Sequence, residues 1–397
     1  MKAIIESNRS DLTIRLLVVA VLALFVFGLA KQSARSASKP KPLWRADLRP
    51  VDYREPKVWA EKVANSGWNL LALTDKNVLV AGFVTLDTPA RVPPKPEVWV
   101  PWPGQLHVAF FEARTGKPLM TRKWYIPFPA AALWAGSDGK LLIRTGHLIR
   151  LYSANFEELK QRRIGRKSDE GHRTPQVLIS PSGRSILTHR LANGEMEVIE
   201  TDTLEVRQSW NQEDPFVTSL TDSHLAGSSR QNPTQILIRK LGEGWRPVAA
   251  PAHEGCNYPI LFDNRTLILT GAFCTCKRVV VVSSDAQVLL TDRLGWRERV
   301  SKSVYPSRDG RRFAVLVEKM RGITIELLDM YSYPVPHRLV VYDIPSRRAI
   351  YSLKTKLLSK PGLHIALSPD GSLLAILANG VVEVYQLPQS ETEPQEN

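Results

Sequence analysis

Helix is the first thing this sequence lacks. Outside the N-terminus, no window keeps apolar residues at three- and four-residue spacing for a dozen positions, which excludes an α-helical core. Cysteine is scarce, with only Cys256, Cys274 and Cys276 in 397 residues. Cys274 and Cys276 lack the two-residue gap of a zinc knuckle, only one further Cys exists, and His253 is the candidate fourth ligand. No metal site is expected from that set. Catalytic signatures are missing as well: there is no Gly-x-Ser-x-Gly elbow, no His-Glu-x-x-His, no P-loop and no Cys-x-x-Cys-His. His253-Glu254 begins a zincin-like string, but Asn257 stands where the second histidine belongs. No catalytic residue and no cofactor is therefore assigned. A site assembled from several inner strands would leave no such local motif.

What the chain does have is a short polar turn that recurs seven times, each time after an apolar run. The turns are Asp75-Lys76-Asn77, Asp138-Gly139, Ser182-Gly183, Asp222-Ser223, Asp263-Asn264, Asp309-Gly310 and Asp370-Gly371. Their spacings are 63, 44, 40, 41, 46 and 61 residues, and the inner four fit the roughly 40–45-residue period of a four-stranded propeller blade. The clearest unit runs from Val177 to Trp210. Val177-Leu178-Ile179 turns at Pro181-Ser182-Gly183 into Ser185 to Thr188, and Asn193-Gly194 supplies a hairpin turn into the alternating run Met196 to Glu200. Thr201-Asp202-Thr203 then leads to a fourth strand over Leu204 to Trp210. The expected fold is all-β: a seven-bladed β-propeller of four-stranded antiparallel blades over residues 43–387. Inner strands are expected at Trp68 to Leu73, Ala131 to Trp134, Val177 to Ile179, Val217 to Leu220, Ile260 to Phe262, Val304-Tyr305 and Ile365 to Leu367. The last blade has only three strands before the polar, acidic tail of residues 388–397. Leu43 to Leu48 is the candidate for the missing outer strand, closing the ring and removing an exposed edge. Two β-sandwiches would also fit the length, but the unbroken repeat favours the ring.

Ser368-Pro369-Asp370-Gly371-Ser372-Leu373-Leu374-Ala375 and Ser180-Pro181-Ser182-Gly183 resemble the first hairpin turn of WD40-like and YVTN-type propellers. Val340 to Asp343 and Val198 to Thr201 are similar to the third strand of those families. The resemblance covers about residues 59–387 and lies in the repeat grammar. Gly171-His172 falls once in a WD40-like place, and Trp-Asp occurs nowhere. It implies a propeller, with no function attached.

Leu16 to Ala30 is fifteen uncharged, mostly aliphatic residues between Arg15 and Lys31. Residues 1–30 are expected to be a signal peptide or an uncleaved membrane anchor. The long leader with Glu6 and Asp11 argues for the anchor, while Gly28-Leu29-Ala30 offers the small residues a peptidase reads. The excess of Lys and Arg after the segment runs against the positive-inside rule for an exported chain. Export to the periplasm or cell exterior is nonetheless expected, because a soluble propeller has no other use for the segment. Residues 31–42, rich in Lys, Ser, Ala and Pro, form a basic flexible linker. The cysteines agree with that compartment: a disulfide from Cys256 to Cys274 or Cys276, within the fifth blade, is the expected arrangement.

Two insertions break the repeat, each between the second and third strands of its blade. The first, residues 88–104, carries six prolines with Trp99 and Trp102; the second, residues 321–337, carries Met330, Tyr331, Tyr333, Pro334 and Pro336. Their blades flank the seventh, so both rise from one face. Trp99, Trp102, Tyr331 and Tyr333 are the candidate partner-binding residues, for a protein partner of unknown identity. The alternative is that each loop folds back over its own blade. The net charge of +14 does not indicate nucleic acid. Arg162-Arg163, Arg311-Arg312 and Arg347-Arg348 are scattered over different blades without interleaved aromatics. The leading expectation is a binding scaffold; an enzyme or small-ligand receptor with a central-channel site, as in lactonase-like propellers, is the alternative.

Overall fold

The computed structural model describes residues 40–49, 70–86, 104–126, 131–164, 176–189, 194–211, 216–229, 231–232, 235–248, 258–263, 266–270, 276–295, 297–320, 334–359 and 363–389. The chain divides into two units, Met1–Lys41 and Pro42–Asn397, and the second is the one described here. No helix among the described residues is long and apolar enough to cross a membrane. Residues 16–30 lie outside them.

The second unit is a ring of seven four-stranded antiparallel sheets. Blade one holds β2 (Leu71–Leu73), β3 (Val78–Leu86), β4 (Gly104–Glu112) and β5 (Pro118–Ile126). Blade two holds β6 (Ala131–Ala135), β7 (Leu141–Thr145), β8 (Leu148–Tyr152) and β9 (Glu158–Arg163). Blade three is β10 (Gln176–Ile179) to β13 (Val206–Asn211), blade four β14 (Phe216–Leu220) to β17 (Arg246–Val248), and blade five β18 (Tyr258–Leu261) to β21 (Val288–Arg293). Blade six is β22 (Glu298–Pro306), β23 (Arg312–Met320), β24 (Pro334–Asp343) and β25 (Arg348–Leu353). Blade seven takes β26 (His364–Leu367), β27 (Leu373–Ala378) and β28 (Val381–Gln386), and its outer strand is β1 (Trp44–Asp47).

The ring is thus closed by a strand from the other end of the chain. β1 pairs antiparallel with β28, Trp44 opposite Val384 and Asp47 opposite Val381. Trp44 stacks near Phe111 at 5.4 Å between ring centres and donates its indole N–H to the Ala113 carbonyl at 2.8 Å. That ties blade seven to blade one.

Strand burial follows from position in the blade. The second strands are covered on both sides by neighbouring blades, so β7 and β27 are buried throughout. The outer strands keep one side in water, so β5 alternates exposed and half-buried residues. The core accordingly lies between blades. Leu141 and Ile143 of β7 pack with blade one, whereas Leu142 packs with Ile186, Ile199 and Leu204 of blade three.

The recurring turn is a self-bonded device. In blade six the Ser307 hydroxyl donates to Asp309 Oδ1 at 2.6 Å, and that oxygen also accepts the Arg311 N–H at 3.0 Å. Asp370 repeats the pattern with Ser368 and the Ser372 N–H. These carboxylates satisfy turn donors.

Blade six departs from the sequence reading in two places. Its inner strand begins at Glu298, well before Val304, because the register with β23 slips between Val300 and Val304. The Ser301-Lys302-Ser303 bulge interrupts the alternation by which a strand is recognised. The second insertion is also shorter than residues 321–337, since Pro334 to His337 belong to β24. Pro334 opens that strand, and Pro336 stands at a second register slip, opposite Glu318. Those are the two positions where a strand tolerates proline.

Candidate functional site

Connections leave each blade on two faces. The turns from first to second strand and from third to fourth lie on one, the turn face. The hairpins from second to third strand, and the links between blades, lie on the other, the loop face. All second strands start directly after the polar turn, yet their lengths differ. β7, β11 (Ser185–His189), β15 (His224–Ser228) and β19 (Thr266–Thr270) have five residues and β27 six, while β3 and β23 have nine. Four extra residues at strand rise lift the blade-one and blade-six hairpins about 13 Å further toward the loop face. Pairing holds to their tips, Leu86 opposite Gly104 and Met320 opposite Pro334. The hairpins are therefore ordered ribbons that carry residues 87–103 and 321–333.

Trp99, Trp102, Tyr331 and Tyr333 lie outside the described residues, as do Cys256 and Cys274. Cys276 is described. It is buried between β19 and β20 (Arg278–Ser283), at the loop face of blade five.

Several residues that sequence reasoning passed over come together on these faces. Tyr125, near the loop-face end of β5, is 63 % exposed and sits opposite Gln105 beside the blade-one hairpin. Lower on that hairpin, Thr85 Oγ1 and His107 Nε2 are 2.9 Å apart, and burial holds the imidazole below its ordinary pKa. At the loop-face mouth of the channel, Phe216 and Tyr258 open the inner strands of blades four and five. Their rings lie 6.4 Å apart with Phe216 37 % exposed, and burial pushes the Tyr258 hydroxyl pKa up. Thr218, extruded by a bulge in β14, donates to the Pro259 carbonyl and joins the same two blades.

Arg308 crosses the turn-face mouth. Arg308, in the first turn of blade six, reaches Asp75 Oδ2 of blade one at 3.2 Å. It also donates to the Ala135 and Gly136 carbonyls of blade two at 3.2 and 2.6 Å. A guanidinium spanning from blade six to blade two lies across the ring, and it narrows that end of the channel. Burial lowers its pKa, while Asp75 acts in the opposite sense. No local motif announces such a residue, because its partners are 172 to 233 positions away in sequence.

Among the described residues no group of three His, Cys, Asp or Glu is placed to hold a metal. The loop face and the channel mouths carry the aromatic side chains Tyr125, Phe216 and Tyr258 and the charged Arg308.

Comparisons with known proteins agree with the geometry at the level of architecture. A chain in the crystal structure of a mitotic checkpoint complex is 13 % identical, with a TM-score of 0.50, over 89 % of this chain and 94 % of that one. The fold is that of a WD40-like propeller. Hsv2 of Kluyvelomyces marxianus shares 11 % identity with a TM-score of 0.44, over 78 % of this chain and 89 % of that one. No family model matches the chain, and no curated protein matches it. At such identity the WD40-like likeness establishes the fold.

Proposed function

We propose that this propeller is an exported or membrane-tethered scaffold that binds a protein partner on its loop face. The observation that carries the reading is the pair of elongated ribbons on blades one and six. Both extend the same face; the first carries residues 87–103, rich in proline with Trp99 and Trp102, the second residues 321–333 with Tyr331 and Tyr333, and exposed Tyr125 stands near the tip of the first. An exposed aromatic on a paired strand contributes contact area with little ordering entropy. The chain direction fits a tether. β1 runs from the turn face to the loop face, so Leu43 enters the ring on the face opposite the ribbons. Export also suits a disulfide within blade five from Cys256 to Cys274 or Cys276, and the burial of Cys276 supports the second pairing.

In-cell crosslinking with mass spectrometry, comparing the full chain with one lacking residues 91–103, tests the scaffold. Loss of a dominant protein partner on deletion is the expected result; an unchanged partner set refutes the surface. A second reading, a small-ligand receptor in the channel, is favoured by Phe216 and Tyr258 at one mouth and Arg308 across the other. It gains if neither sample captures a protein.

A further inference from the structure

Arg144 is the most anomalous side chain in the described ring. It lies near the end of β7, with only 7 % of its surface exposed. Leu142, two residues earlier, packs toward blade three, and strand alternation places Arg144 on the same side. It stands opposite Ala132 of the inner strand and Ile149 of the third, at the loop-face end of an apolar interface. Its Nε donates to the Gly146 carbonyl at 2.9 Å. Its Nη2 is shut off from water with no hydrogen-bond partner. Among the described residues no carboxylate comes within ion-pair distance of it. By contrast, Arg312, Arg308 and Arg338 hold Asp343, Asp75 and Glu298 at 3.3, 3.2 and 2.8 Å.

A buried guanidinium costs several kcal/mol to desolvate and is retained where it is paired. Desolvation alone lowers this one's pKa to about 10, which still leaves it charged at neutral pH. Blade three presents polar groups at the same level: Thr188 and Glu197 follow Ile186 and Ile199 of that interface by two residues toward the loop face and are buried. Thr188 Oγ1 donates to Glu197 Oε2 at 3.5 Å. Glu197 makes further contacts of its own. One polar end therefore caps an otherwise apolar wall, and its cation has donors to spare.

We infer that the Arg144 guanidinium, at the loop-face end of the interface between blades two and three, is a binding site for an oxyanion, a carboxylate or phosphate group. The planar fork pairs such groups in bidentate fashion. The inference goes beyond the scaffold reading and does not depend on it, since it concerns different residues and a small anion suffices to test it.

The test is thermal melting of the full chain in inorganic phosphate, in succinate and in chloride at equal ionic strength, for the native protein, Arg144→Met and Arg144→Lys. Equal ionic strength removes general screening. The expected result is a rise of about 2 °C in native Tm at an anion concentration ten times its Kd, absent in Arg144→Met and reduced in Arg144→Lys. Response to phosphate alone identifies a phosphoryl ligand, response to succinate alone a carboxylate, and either supports the site. Without anion, Arg144→Met is expected to melt at or above the native temperature, because it removes an unpaired buried charge. Three results overturn the inference: no anion-specific rise in the native protein, the same rise in the variants, or an anion-free Arg144→Met melting several degrees lower. If Arg144→Met does not fold, Arg144→Lys decides: an undiminished rise there refutes recognition by the fork.

Discussion

Trp44→Ala tests ring closure most directly. Trp44 carries three contacts between blades seven and one. Its indole N–H bonds the Ala113 carbonyl at 2.8 Å, its ring lies 5.4 Å from Phe111, and its face lies against Gly116 so closely that a Cβ there would sit 2.6 Å from the ring. Trp44 is only half-buried, so its area contributes about half of a full tryptophan, near 2 kcal/mol. With the hydrogen bond and ring pair, removal should cost about 3–4 kcal/mol. A ring of roughly 340 residues has an unfolding entropy near 0.7 kcal/mol/K, so Tm should fall by about 5 °C. Trp44→Phe keeps the stacking and loses the hydrogen bond, and it should fall by about 1–2 °C. Leu43→Ala, at a residue 48 % exposed, should change nothing measurable and serves as the control. Calorimetry of the three variants is the assay. A Trp44→Ala melt matching the native protein would show that β1 does not hold the ring shut, and the closure argument would fail.

Gly183→Ala should be severe, because Gly183 has φ +73 and an added Cβ would lie 2.3 Å from the Ala135 carbonyl oxygen; a loss of more than about 2 kcal/mol in urea unfolding is expected. Arg308→Met removes every bond across the turn-face mouth and should cost about 2–4 kcal/mol, whereas an unchanged urea midpoint would mean the crossing is incidental. The pH dependence of Asp202 can be read the same way. Burial tends to raise its pKa, but the Lys140 ammonium at 2.7 Å and the Ser137 hydroxyl outweigh it and hold the carboxyl below the ordinary value. A lowered folded pKa gives stability that is whole above the unfolded value of about 3.9 and is lost as pH falls through the folded one. The Tm gap between native protein and Asp202→Asn should therefore be present at neutral pH and vanish near pH 2, as followed by circular dichroism; a gap that grows with acid would contradict it.

The architecture was legible because a propeller repeats local signals. Each of the seven polar turns sits where a blade's first hairpin turns, and Ser-x-Asp-Gly at residues 307–310 and 368–371 is readable because its hydrogen bonds close within five residues. β22 was shortened in the reading because a bulge breaks the period-two pattern that defines a strand. The strand status of residues 334–337 was missed because proline there argues against a strand until the edge and bulge positions are known. Arg308 and Arg144 were invisible for another reason. What distinguishes them is which distant backbone or wall they meet, and neither composition nor spacing encodes that. Tyr125 shows the same limit, since its exposure depends on its place in an outer strand near the tip of a lengthened hairpin.

The two unread arginines also differ in a way that bears on function. Arg308 gives both terminal nitrogens to Asp75 and two carbonyls of blade two and leaves only its buried Nε without a partner, so removing it should weaken the ring. Arg144 spends one donor on the Gly146 carbonyl and keeps the Nη2 donors unpartnered in a dry interface. Its removal should leave stability intact or improved while abolishing the anion response. Structural and binding charges can thus be separated by the sign of their effect on the unliganded melt, even where burial and chemistry are alike. If Arg144→Met and Arg308→Met lower Tm alike, the distinction collapses and both arginines belong to the scaffold.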